Sequence, residues 1–348
     1  MGSQKKNLSC FLPLLALAVV LSLCLGFVDA ATSLQKPVKL QWHYYKHHNT
    51  CKNAETFVQH QVNQSWSNDK SIAAKLLRLA SMDCLVTGCD ASILLIHGPD
   101  AEITAIQNRG LGGVLLIHKI KTVLEQRCPG VVSCADIIQL AARDAVHLAG
   151  APSYPVYTGR RDGMTSKASS VDIPSPSISL EAATAYFKSK GLDVLDMVTL
   201  LGAHTMGRTH CRNIEDRLYN YSGTGKPDPT MDPYLSEEMK KKCPERVKKG
   251  QGDPLVYLNP ESGAHYNFTE SYYRRISNNS AVLGIDQQLL YGNDTKEITK
   301  EFASGFEDFR KSWALSMSRM GSINVLTGNQ GEIRLNCSFT NKDNPYLK

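Results

Sequence analysis

The 348-residue chain lacks several features that would place it quickly. It has no CxxC pair, which counts against a zinc ribbon or finger. No Lys/Arg run resembles a nucleic-acid arm: the formal net charge of +6 is mild, and the densest basic patch, "KKKCPERVKKG", reads as a solvated helix face or loop. Nucleic acid is therefore not an expected partner. Period-two alternation is scarce, so an all-β architecture is not expected. No internal repeat or low-complexity tract stands out, which excludes solenoids and flexible linkers. Beyond the first thirty residues no apolar run is long enough to cross a bilayer.

Those first thirty residues do carry one. Lys5 and Lys6 precede "FLPLLALAVVLSLCLGF", and "VDA" ends at Ala30 with a small-residue pattern. The stretch 1–30 reads as a cleaved secretory signal; an uncleaved anchor is the alternative, because the run nearly reaches spanning length. Cleavage would remove Cys10 and Cys24 and leave Cys51, Cys84, Cys89, Cys128, Cys134, Cys211, Cys243 and Cys337. An even count in an exported chain predicts four disulfides, and sequence alone leaves about 105 pairings open. Sequons at Asn63, Asn220, Asn267, Asn278 and Asn293 suit an exported, glycosylated surface.

Helical signals dominate the remainder, which is long enough for one large domain or two lobes sharing a core. "SCADIIQLAARDAVHLAG" opens with Ser133 and Asp136 in a capping pattern and stops at Gly150. "SLEAATAYFKSKG" stops at Gly191. In "DVLDMVTLLGAHTMG", Asp193 is the expected cap, and the stripe through 194, 197, 198 and 201 continues to His204. "ITKEFASGFEDFRKSWALSMSRMG" reads as one long amphipathic stretch ended by Gly321. The Pro/Ser-rich segment 169–179 is the expected loop or lobe boundary. The fold class is mostly α, with long disulfide-tied loops.

Two stretches concentrate chemistry. "LLRLASMDCLVTGCDASILL" puts Arg78 and Met82 four residues apart, on one helix face. "DMVTLLGAHTMGRTHC" puts His204 on an apolar stripe, where a histidine is more often a satisfied core residue than a ligand. Together with "CPGVVSCADII", "GRRDG" and "MGSINVLTGNQGEIRLNC", the mature chain resembles the secretory plant haem peroxidases (class III) from end to end.

The resemblance implies a mostly helical, two-lobed fold, with a distal lobe over roughly 31–170, a proximal lobe over roughly 171–348 and haem b between them. His204 would be the axial iron ligand, its other ring nitrogen donating to Asp286, a carboxylate that tunes the metal through the imidazole. The implied disulfides are Cys51–Cys128, Cys84–Cys89, Cys134–Cys337 and Cys211–Cys243. Asp83, Val86, Gly88, Asp90 and Ser92 match a distal calcium site, with Glu102 holding one of its waters. Their carboxylates, hydroxyl and carbonyls are the hard oxygens calcium takes, the alternative being a tight acidic turn without metal. Thr205 matches a proximal calcium ligand, but the family's aspartates there fall on Asn259 and on Thr269 or Asn267, so that site is expected to be weak or empty. Pro174 matches the proline at the aromatic-donor edge.

Met82 falls where the family has its distal histidine, the base that moves the peroxide proton. Arg78 matches the arginine that stabilises charge as the O–O bond breaks. Asn108 matches the asparagine that orients the missing histidine, and Ala80, Ser81 and Leu85 also depart from the pattern. A thioether has no proton to give or take, and losing a positioned acid–base costs about 10² to 10⁴ in rate. Met82 could line the pocket, approach the iron as a ligand or be oxidised to the sulfoxide. His97 is the nearest other imidazole in sequence. The expected function is a secreted, cell-wall or apoplastic, monomeric haem peroxidase that reduces hydrogen peroxide with phenolic donors at reduced turnover. A haem-binding scaffold without that cycle is the first alternative, and a fold that keeps no haem and acts only as a binding module is the second.

Overall fold

Ser133 begins its helix as the capping pattern predicts: its hydroxyl accepts the backbone N–H of Asp136 at 3.1 Å, and the helix runs from Cys134 to Leu148. The computed structural model describes residues 40–96, 98–246 and 252–347. The expected signal at 1–30 and His97 lie outside them. Ten principal helices follow in order: α1 Ala54–Asn68, α2 Ile72–Cys84, α3 Val114–Glu125, α4 Cys134–Leu148, α5 Leu180–Ser189, α6 Val194–Leu201, α7 Pro233–Lys242, α8 Ser271–Ser277, α9 Asn293–Ser304 and α10 Phe306–Met320. Among the described residues the strands are few and short. β1 (Gln41–Trp42) pairs antiparallel with β2 (Tyr157–Thr158), and β3 (Arg208–His210) with β4 (Leu255–Tyr257).

The helices pack in two groups. In the first, α4 lies against α1, α2 and α3. In the second, α6 packs on α5, α9 and α10, and α8 on α9. Helix α4 is buried nearly all round, as its run of small and aliphatic residues allows. Its N-terminus is held by "GRRDG". Asp162 accepts the backbone N–H groups of Cys134 (3.1 Å) and Ala135 (2.9 Å), two of the donors a helix start leaves unpaired. Arg160 donates to Asp136 at 2.7 Å, and Tyr45 donates to the same carboxylate at 2.6 Å. Four disulfides join Cys51 to Cys128, Cys84 to Cys89, Cys134 to Cys337 and Cys211 to Cys243, the set the resemblance implies.

Two helix boundaries differ from expectation. Asp193 and Asp196 form a reciprocal capping box on α6, but the α-helix ends at Leu201. His204 sits on the 3₁₀ turn Gly202–Thr205 that follows. A Cβ at Gly202 would lie 2.3 Å from the Tyr273 hydroxyl and 2.8 Å from Phe309, so α8 and α10 press directly on this backbone. The long C-terminal stretch is two helices, broken at Gly305, where the backbone extends to φ −130°. Glycine is the weakest helix former but proline, and this break lets α9 and α10 each pack on α6 while α9 also meets α8. Among the described residues no helix is long and apolar enough to cross a membrane.

Candidate active site

His204 and Asp286 lie 82 positions apart in sequence, and the fold brings them together. His204 Nδ1 is 2.8 Å from Asp286 Oδ1, and the carboxylate is almost fully buried. A carboxylate only accepts, so Nδ1 carries the proton and Nε2 is left as the lone-pair nitrogen. Burial pulls the imidazole's pKa down, but the charge and hydrogen bond of Asp286 outweigh it and hold it above its ordinary value. An oriented histidine whose free nitrogen is turned from its carboxylate is the kind of donor haem iron takes, so these residues fit that group.

Helix α2 supplies the residues expected opposite. Arg78 and Met82 are both half-buried on it. Arg78 Nη2 donates to the carbonyls of Gln107 (2.9 Å) and Arg109 (3.4 Å), tying the 107–109 loop to the helix. Burial, and then the charge of Arg212, hold its guanidinium below its usual pKa. Asn108 lies between those carbonyls, 2 % exposed. Its Nδ2 donates to the Glu102 carbonyl at 2.7 Å, while its Oδ1 is buried without a partner. Ser81 turns back on its own helix, donating to the Leu77 carbonyl at 3.0 Å. Pro174 is half-buried in the loop before α5, and Gln107 reaches that loop through the Val171 carbonyl at 3.4 Å.

Beyond the end of α2, the Cys84–Cys89 disulfide folds the chain so that Asp83, Asp90 and Glu102 share one buried region. Burial first, and the charge of Asp90 with it, push Asp83 well above the usual carboxylate range. Burial also raises Asp90, and it lifts Glu102 to about 7, with Asp90 adding to the rise. Asp83 Oδ1 and both Glu102 carboxylate oxygens are buried without partners. Ser92 Oγ lies 3.2 Å from Thr87 Oγ1, and the Val86 carbonyl accepts from Lys190 at 3.1 Å. Gly88 (φ +132°) has no room for a side chain, since a Cβ would meet Asn324 at 2.6 Å. Gly163, closing "GRRDG", is equally confined: a Cβ there would lie 2.2 Å from Asp90 Oδ2. Among the described residues no group of three His, Cys, Asp or Glu side chains could hold a metal unaided. A cation here would have to draw on hydroxyl and carbonyl oxygens too, as calcium does, and the orphaned carboxylate oxygens fit such a cation.

The proximal calcium position is different in kind. Thr205 Oγ1 donates to the Thr269 carbonyl at 2.7 Å, and Asn259 Nδ2 donates to Ser271 Oγ at 2.7 Å. The Thr269 and Ser271 hydroxyls are 2.7 Å apart. These residues carry no charge and satisfy one another, so they do not fit a second calcium.

Sequence reasoning missed Tyr272, whose hydroxyl donates to Asp286 Oδ1 at 2.9 Å, and Arg334. Arg334 is fully buried and donates to the carbonyls of Asp90 (3.1 Å), Ala91 (2.7 Å) and Cys337 (2.6 Å), clamping the acidic loop to the C-terminal segment. The "YY" and "IRLNC" runs were visible, but nothing local in them announces these partners.

This frame is that of a peroxidase: the chain belongs to the peroxidase family, whose model matches residues 58–305. It is similar to probable peroxidase 61 of Arabidopsis thaliana, 65% identical over 95% of this chain and 97% of that protein. Probable peroxidase 26 of the same organism is 68% identical over 87% of this chain and 90% of its own length. Peroxidase 28, also from Arabidopsis thaliana, is 41% identical over 87% of this chain and 94% of its own.

Proposed function

We propose that the protein is a secreted haem peroxidase that reduces hydrogen peroxide at the expense of phenolic donors, with turnover lowered by Met82. The observation that carries this reading is the His204–Asp286 pair at 2.8 Å, which leaves Nε2 free to ligate haem iron. The bound haem would supply the redox chemistry. Asp286 would hold the Nδ1 proton of His204 and fix the ring's rotation. Arg78, with Nε and Nη1 not used in its loop contacts, would stabilise negative charge on the peroxide oxygens. Met82 lines the same helix face and holds no proton, so proton transfer would fall to water, with the rate penalty of about 10² to 10⁴ that a missing acid–base carries. Phenolic donors would approach the edge at Pro174. One calcium ion would neutralise Asp83 and Asp90, with Glu102 acting through a water. Export is supported by the apolar stretch before Ala30 and by the exposure of all five sequon asparagines. The protein would act as a monomer.

A second reading, a haem-binding scaffold with no peroxidase cycle, is favoured by the buried, partnerless Oδ1 of Asn108, whose match in the family orients an imidazole that this chain lacks at Met82. Stopped-flow absorbance of haem-loaded protein mixed with hydrogen peroxide separates the two. A Soret band that moves to a new position and returns when a phenol is added supports the peroxidase. A band that only fades supports the scaffold, and the lack of any Soret band after reconstitution would sink both.

A further inference from the structure

We infer that Tyr272 is a positioning residue for His204, acting through the carboxylate oxygen the two side chains share. The inference deepens the proposed function and rests on His204 being the haem ligand. Tyr272 Oη lies 2.9 Å from Asp286 Oδ1, and His204 Nδ1 lies 2.8 Å from the same oxygen. Each donor that an anionic oxygen accepts lowers its basicity toward the next. Tyr272 and Asp286 are 3 % and 2 % exposed, so water does not stand in for the phenol, and in so dry a place the division of charge is felt fully.

The geometry is braced from both sides. The Tyr272 ring meets the His204 ring edge-on at 6.3 Å and the Tyr273 ring at 4.8 Å. Tyr273 in turn donates to the Val198 carbonyl on α6 at 3.0 Å. The ring contacts, which Tyr273→Phe keeps, give the Tyr272 phenol little freedom to leave the carboxylate. Tyr272 therefore moderates the imidazolate character that Asp286 confers, and with it the electron density His204 offers to iron.

The test compares Tyr272→Phe with Tyr273→Phe, a neighbouring phenol that makes no hydrogen bond to Asp286. In the haem-free protein, proton NMR reads the Nδ1–H of His204 directly. Tyr272→Phe should move that resonance downfield as the His204–Asp286 bond strengthens, and Tyr273→Phe should leave it in place. In the haem-loaded protein, Tyr272→Phe should shift the ferric–ferrous equilibrium about tenfold toward ferric, or about 59 mV in midpoint potential. No movement of either readout in folded Tyr272→Phe protein overturns the inference, and so does an equal movement in both variants, which would mark a merely structural role. If the wild-type chain binds no haem, the proposed function fails, while the haem-free NMR comparison still decides the matter of Tyr272.

Discussion

Stripping divalent cations should turn the acidic loop after α2 into a pH-dependent weakness. Burial raises Asp83, Asp90 and Glu102, and Glu102 goes from an ordinary 4.5 to about 7. A carboxyl whose pKa is higher in the folded chain binds its proton more tightly there than in the unfolded chain. Its contribution to stability is fully present below about pH 4.5 and is lost as the pH rises through about 7. At 1.36 kcal/mol per pH unit, Glu102 alone accounts for about 3 kcal/mol of lost stability across that window. Asp83 and Asp90 act in the same direction. Calcium should reverse the sign, because the ion would take the charged carboxylates, and at one hundred times its Kd a ligand adds about 2.7 kcal/mol. The assay is urea denaturation from about pH 4.5 to about pH 8, in EDTA and in saturating calcium. The expected result is a midpoint that falls with pH in EDTA and holds or rises in calcium. Glu102→Gln should flatten the EDTA series by roughly the same 3 kcal/mol. A flat EDTA series in the wild type, or one that calcium leaves unchanged, would refute the placement of a cation among these carboxylates.

Three further outcomes follow from the geometry. Met82→His should raise the rate of peroxide consumption by about 10² to 10⁴, read by stopped flow, and Asn108→Leu in that background should forfeit most of the gain if the Asn108 Oδ1 acceptor orients the new imidazole. Removing Cys134–Cys337, which spans 203 residues, should cost about 5 kcal/mol on chain-entropy grounds, against about 2 kcal/mol for Cys84–Cys89, which spans 5. Urea midpoints of the two paired cysteine-to-alanine variants check that ranking. Asn259→Asp combined with Thr269→Asp should raise the calcium content after dialysis from one ion per chain to two, and two ions in the wild type would contradict a self-satisfied proximal network.

The helix starts were legible in the sequence because their signals are local. Ser133 and Asp193 each cap with a residue three positions on, and the structure uses both as read. Where helices stop is set by packing. The stripe from Val194 to His204 looks continuous, yet the α-helix gives way to a 3₁₀ turn at Gly202, where Tyr273 and Phe309 leave no room for a side chain. The same limit hid Tyr272. Its partner Asp286 is 14 residues away on another element, and a tyrosine beside a tyrosine reads as core. Arg334 was hidden more deeply, since its acceptors at Asp90 and Ala91 lie 244 and 243 residues away. The disulfide set was legible only through the family resemblance, because eight cysteines by themselves leave the pairing open.

The unpaired polar atoms of the site are of two kinds, and the difference says what Asn108 now does. Those of Asp83 and Glu102 would be satisfied by a bound cation, Asp83 by the ion and Glu102 through its water. The Oδ1 of Asn108 has no such remedy: it is an acceptor 2 % exposed, on a side chain whose other half is committed. A buried acceptor left without a donor costs about 1–3 kcal/mol, more than one neutral hydrogen bond ordinarily returns. The Nδ2 bond to the Glu102 carbonyl offsets part of this by fixing the backbone of the residue that would face the calcium water. Asn108 therefore ties the loop that Arg78 holds to the backbone of Glu102. Its nitrogen holds the Glu102 backbone, and its oxygen is left as a buried acceptor that a thioether, having no hydrogen to donate, could not satisfy.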